Sequence, residues 1–136
     1  MERIIEIEEG RSYRFKASAF SPIVYNMLFP GRDFMRDINK LLEMSGSKEG
    51  STMRMEDYET FVRVAYTFAY QGLSDTPKDT PEKRKFRETY PDAWDWIDSF
   101  GMFSMYEVMP QIVELWVDNE RTVSERKNPV PAPQEK

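Results

Sequence analysis

The sequence predicts a mainly α-helical domain opened by a β-hairpin and followed by a Pro-rich tail, on three observations. Residues 2–17 alternate apolar and charged side chains with period two, the signature of strands with one buried face. Beyond them, apolar residues recur three and four apart in separate runs bounded by Pro, Gly and capping residues, enough for about four to six helices. From residue 122 onward, three prolines and flanking charges leave too little apolar surface to build a core, which predicts a disordered tail. The expected organisation is one globular domain over 1–121, with a hairpin at 1–18 and helices at 21–121, and a tail at 122–136.

In the hairpin, Ile5, Ile7, Tyr13, Phe15 and Ala17 fall on one face, and Glu6, Glu8, Arg14 and Lys16 on the other. A three-residue loop, Glu9-Gly10-Arg11, keeps both apolar sets together and places Ile7 opposite Tyr13, Ile5 opposite Phe15 and Glu6 opposite Arg14. Two strands alone are marginal in water, so this face must lie on helices or on a second copy of the chain. Ser21-Pro22 reads as an N-cap with proline at the first helical position, followed by Ile23, Val24, Met27 and Leu28, and Pro30-Gly31 ends that helix. A second helix is expected from about Arg32 to Met44 on the stripe Phe34, Ile38, Leu41 and Leu42, before a flexible loop at 45–51.

The strongest helical run starts at the acids Glu56 and Asp57 and carries Tyr58, Phe61, Val62, Ala65, Phe68 and Ala69 on one stripe. Val64, Tyr66 and Tyr70 add apolar surface around its girth, so it is expected to be central; Gly72 closes it. Residues 74–91 read as loop, with a short helix opening at Thr80-Pro81-Glu82 and running through Phe86. Asp92 caps a short helix carrying Trp94, Trp96, Ile97 and Phe100, ended by Gly101. Ser104-Met105-Tyr106-Glu107 forms a capping box, with Phe103 and Val108 as its hydrophobic staple, and opens a final helix kinked at Pro110 that continues through Ile112, Leu115 and Trp116 to about Asn119.

The chemistry available is narrow. The 136 residues contain no histidine and no cysteine, but 9 Met, 9 Phe, 7 Tyr and 3 Trp. The commonest general base, the commonest metal ligand and the thiol nucleophile are missing, while soft and aromatic side chains are what adaptable contact surfaces use. No glycine-rich phosphate loop, GxSxG or SxxK motif is present, so a non-enzymatic binding protein without cofactor is expected. A net charge of −5, from 19 basic and 24 acidic side chains, disfavours nucleic acid as the main partner. The opening residues lack an apolar leader core and no stretch approaches a membrane span, which predicts an intracellular protein without membrane attachment.

Three constellations stand out. Asp92, Asp95 and Asp98 recur every three residues but lack a calcium-loop pattern, and read as a helix-start acid followed by solvated acids, with no metal site. Lys83-Arg84-Lys85-Phe86-Arg87 is the densest basic cluster; bracketed by Glu82 and Glu88, it reads as a solvated charged face, as do the Arg32-Asp33 and Arg36-Asp37 pairs. From Trp94 to Tyr106, seven aromatic or Met side chains fall within thirteen residues. A short helix buries one stripe only, so Trp94 or Trp96 must show a face, and Trp94, Trp96, Phe103 and Met105 are the candidate partner-binding residues.

The order of features resembles a known group. Tyr25-Asn26-Met27-Leu28-Phe29-Pro30-Gly31-Arg32-Asp33-Phe34, continuing through Asp37 to Lys40-Leu41, is similar to the "Y…FGRD…D..KL" stretch of tail assembly chaperones from long-tailed phages and prophages of Gram-positive bacteria. Ala65-Tyr66, the run from Asp92 to Phe100 and the run from Tyr106 to Trp116 follow in the same order, the last two resembling "eWLdsF" and "vlPeIvelW" segments of that group. Pro30 and Trp96 depart from the pattern.

The resemblance implies a non-catalytic protein of the infected bacterial cytoplasm that binds the tape measure protein and keeps it soluble while tail tube subunits polymerise around it. It also implies a longer frameshifted product that recruits tail tube protein, and exposed aromatic and hairpin surfaces are expected to make the chain a homo-oligomer. Two other classes fit the size and acidity: a neck or head-completion protein retained in the particle, and an acidic helical regulator of the antitoxin or DNA-mimic type.

Overall fold

A computed structural model describes residues 1–45, 54–101 and 105–127, with the backbone alone at 45, 105, 106 and 122–127. Among the described residues the chain is mainly α, with an N-terminal antiparallel hairpin and six helices. Its elements are β1 (Glu2–Glu8), β2 (Arg11–Lys16), α1 (Ser21–Leu28), α2 (Phe34–Ser45), α3 (Met55–Gln71), α4 (Pro81–Thr89), α5 (Ala93–Asp98) and α6 (Met105–Lys127).

Helix α3 is the axis of the core. From Phe61 to Gln71 every residue but Arg63 is buried, because β2, α1, α2, α4 and α5 all pack on it. Its all-round apolar character is therefore used on every side. The hairpin lays Ile5, Ile7, Phe15 and Ala17 inward, with β2 against α3 and β1 against α6. Trp96 of α5 fills the space between hairpin and helix, with ring centroids 5.6 Å from Tyr13, 6.0 Å from Tyr66 and 5.3 Å from Phe100, all edge-on. On the far side Phe34 of α2 meets Trp116 of α6 at 4.9 Å and Phe68 of α3 at 6.2 Å.

The hairpin register differs by two residues from the one expected. Ile5 faces Tyr13, Arg3 faces Phe15, Ile4 faces Arg14 and Glu6 faces Ser12. The turn is the two residues Glu9-Gly10 between Glu8 and Arg11, with Gly10 at φ +80 in the left-handed region glycine favours. A two-residue loop alone would set odd positions against even ones and split the apolar face. The irregularity between Glu6 and Glu8, at Ile7, supplies one extra residue and restores odd-to-odd pairing.

In α1, Ser21 is not the N-cap. Phe20 takes that position, and the buried Ser21 hydroxyl accepts from Ser18 N–H at 3.0 Å and donates to Gln71 Oε1 at 2.6 Å. Gln71 Nε2 donates in turn to Ser18 Oγ at 3.2 Å, which ties the start of α1 to the end of α3. The inward side of α1 is Val24 and Tyr25; Ile23 and Met27, expected on the packed stripe, are exposed. The Tyr25 ring sets this rotation by packing at 5.4 Å against both Phe29 and Phe34.

The remaining helices follow the sequence signals with small shifts. Thr80 Oγ1 caps α4 by accepting from Lys83 N–H at 3.2 Å, and the helix runs to Thr89. Asp92 caps α5 by accepting from Asp95 N–H at 3.0 Å, and α5 ends at Asp98 with Ser99 as its C-cap, two residues before Gly101. Helix α6 contains Pro110 and extends to Lys127, past the boundary expected at 121. The expected box and staple at Phe103 and Ser104, the expected loop at 45–51 apart from Ser45, which ends α2, and the part of the expected tail at 122–136 that follows Lys127 lie outside the described residues.

Gly72 has a packing role beyond ending α3. A Cβ there would stand 1.7 Å from the Arg14 carbonyl oxygen of β2, and the Arg14 Nε donates to the Gly72 carbonyl at 2.8 Å. Gly72→Ala is expected to push β2 off the helix and lower stability by about 2–3 kcal/mol, seen as a fall in Tm of roughly 6–12 °C in thermal unfolding. An unchanged Tm would show that strand and helix part easily.

Candidate functional site

The two tryptophans of α5 part company. Trp96 is 0% exposed, whereas Trp94 is 43% exposed and lies nearly parallel to the Tyr58 ring, at an interplanar angle of 13° and a centroid distance of 6.5 Å. Together they border an open cleft of about 600 Å³ between the start of α3 and α5, floored by Ile97 and Phe100 and rimmed by Asp95 and Asp98. The hairpin turn fixes the floor: Arg11 donates to the Ser99 carbonyl at 2.8 Å and stands 4.0 Å over the Phe100 ring, and Gly101 N–H donates to Glu8 Oε2 at 3.0 Å. The cleft thus has a floor tied to the hairpin turn and an aromatic edge open to solvent.

Of the candidate contact residues, Trp94 therefore borders the cleft. Trp96 contributes core and no surface. Phe103 lies outside the described residues, as does the side chain of Met105, whose backbone starts α6. Tyr58 joins the site without having been singled out, and Asp95 and Asp98, read from the sequence as solvated acids, are exposed beside it. The signal for Tyr58 was its place at the head of the α3 stripe, one turn before burial becomes complete. A second exposed apolar set, Phe20, Ile23 and Met27, lies along α1.

A polar cleft of about 300 Å³ lies between the α1–α2 turn, α2 and α3, with charges of both signs on its walls. Asp37, expected on a solvated face, is buried there: it accepts from the Tyr25 hydroxyl at 2.5 Å and from Arg32 Nε and Nη2 at 3.2 Å each. Lys40 lies 3.2 Å from both Glu56 and Asp57, joining α2 to α3. These pairs neutralise one another and hold helices together. Burial, and then the hydrogen bond to Asp37, push the Tyr25 phenol up to about 12.

The basic cluster on α4 is also structural in large part. Lys83 is buried, donates to the Thr76 carbonyl at 2.8 Å and the Lys78 carbonyl at 3.1 Å, and stands 5.5 Å from the Tyr70 ring centre. Desolvation lowers its pKa, with the nearby Lys16 acting in the same direction. Arg84 pairs with Asp79 at 2.7 Å and Arg87 donates to Tyr66 Oη at 3.1 Å, so the solvated face expected here holds mainly intramolecular contacts. Among the described residues no three acidic side chains are grouped to hold a metal ion.

Comparison with known proteins gives no match: no family model fits the sequence, and neither a curated protein nor a solved structure is similar to it. No helix among the described residues is long and apolar enough to cross a membrane.

Two measurements test this geometry. Acrylamide is expected to quench Trp94 selectively, so Trp94→Phe should leave Trp96 and Trp116 as protected emitters; equal quenching in both proteins would contradict the exposure. For Tyr25, the folded chain keeps its phenol proton to higher pH than the unfolded chain, whose value is the ordinary 10.0. The stability it carries is full below pH 10 and declines as pH rises toward 12. Burial raises the Tyr66 and Tyr70 phenols as well, so phenolate absorbance should show several late-titrating tyrosines, and the latest component should disappear in Tyr25→Phe.

Proposed function

We propose that this chain is a non-catalytic tail assembly chaperone of a phage or prophage, binding tape measure protein in the host cytoplasm and keeping it soluble until tail tube subunits enclose it. The ordered likeness of the runs at 25–41, 92–100 and 106–116 supports the identity of the client. The observation that carries the reading is the Trp94–Tyr58 edge, an aromatic surface held open on a rigid frame when a neighbouring tryptophan is fully buried. Contiguous apolar surface left outside a folded domain marks contact sites, and Trp and Tyr dominate such contacts.

Exposed Ile23, Met27, Met35 and Met55 add soft surface of the kind that accommodates varied partners. Many weak contacts suit a holdase, since they must yield when the tube offers the client better burial. Self-association and a longer frameshifted product that recruits tube protein belong to the same proposal.

Co-expression tests it. The chain is expected to move an aggregating tape measure fragment into the soluble fraction, and Trp94→Ala to cut that recovery several-fold while the variant keeps its circular dichroism spectrum. Mass spectrometry of purified particles should find the chain absent. Its presence in stoichiometric amount would favour a neck or head-completion protein, and failure to solubilise any tape measure fragment would overturn the proposal.

A further inference from the structure

The chemistry of the Trp94 cleft narrows what it takes. Asp95 and Asp98 on its rim are exposed, and neither forms an ion pair among the described residues. Among the described residues no Lys or Arg lines the cleft. The cation–ring contacts of the described residues engage Tyr13, Phe100, Tyr70 and Tyr66, and leave out Trp94 and Tyr58. An indole is the best aromatic acceptor for a cation, and two nearby carboxylates without an ion-pair partner among the described residues strengthen that preference. The fold already shows the matching geometry at the floor of the cleft, where the Arg11 guanidinium lies 4.0 Å over Phe100 while donating to the Ser99 carbonyl.

We infer that the cleft recognises an arginine-bearing segment of a protein partner, its guanidinium placed against Trp94 and between Asp95 and Asp98, and its apolar neighbours on Ile97 and Phe100. This rests on the chaperone reading for the partner's identity, and adds the requirement for a basic side chain at the docking point. Charge complementarity is what selects this occupant: the cleft pairs an apolar floor with an anionic rim, so a purely apolar segment leaves both carboxylates uncompensated and an acidic one is repelled.

The probe is an 18-residue designed helical peptide with leucines on one face and a single central arginine, compared with the same peptide carrying glutamine there. Titrated into the full chain and followed by calorimetry and Trp fluorescence, the arginine peptide is expected to bind about tenfold more tightly, with the preference shrinking several-fold between low and high salt. The double variant Asp95→Asn with Asp98→Asn, both solvent-facing, should bring the arginine peptide down to the glutamine peptide's affinity, and Trp94→Ala should weaken the arginine peptide in a chain whose circular dichroism is unchanged.

Equal affinities for the two peptides, binding of neither, or an arginine preference that survives the double Asn variant would overturn the inference. So would sedimentation showing that the peptide-free chain is a dimer dissolved by Trp94→Ala, which would assign the cleft to a second copy. The two proposals fail separately. If the double Asn variant rescues tape measure fragments as well as the parent does, the arginine requirement falls and the chaperone stands; if arginine peptides bind as described but no tape measure fragment is rescued, the reverse holds.

Discussion

The burial of Trp96 governs the arrangement of the whole front of this molecule. Its indole is the contact at which the hairpin, the central helix α3 and the short helix α5 meet, with Tyr13, Tyr66 and Phe100 edge-on around it. Burying a side chain of this size is worth about 3–5 kcal/mol relative to alanine. That gain outweighs the cost of an indole N–H with no acceptor among the described residues. Successive helical residues turn by about 100°, so fixing Trp96 inward swings Trp94, two positions earlier, about 200° to the outside. The exposed aromatic edge is thus a geometric product of the core, held in place by the same packing that stabilises the fold.

Much of the architecture was legible from periodicity and punctuation. Helix α3 announced its central place through apolar residues on every side, and Thr80 and Asp92 cap where their spacing said they would. What failed was the fate of individual polar groups, because a side chain's partner depends on elements far away in sequence. Ser21 looked like a cap, but Gln71, fifty residues on, claims its hydroxyl. Asp37 looked like a surface ion, but the Tyr25 hydroxyl and Arg32 draw it inside. Lys83 sat in a run of charges and is buried, because carbonyls of the preceding loop wrap its ammonium.

The hairpin illustrates a different boundary. Parity, the rule that both strands present the same face, was readable and holds; the loop length was not, since a two-residue turn plus a bulge meets the same constraint as a three-residue loop. For the cleft, the sequence identified the aromatic density and the need for one tryptophan to face out. It did not identify Tyr58, because the stacking depends on how the start of α3 lies beside α5, a tertiary relation with no local signal.

The reliance of the hairpin on distant partners shapes how the chain must mature. Its strands are made before the helices that cover them, and Trp96, which closes the apolar side of β2, follows roughly eighty residues later. At a translation rate of about 5–20 residues per second that is a wait of roughly 4–16 s. Until α3 is complete at Gln71, Phe15 has no helix to lie on, α6, which packs on β1, is made later still, and pairing of high sequence separation is the slow kind. The nascent protein therefore passes through its own period of vulnerability to clumping before the native state is reached.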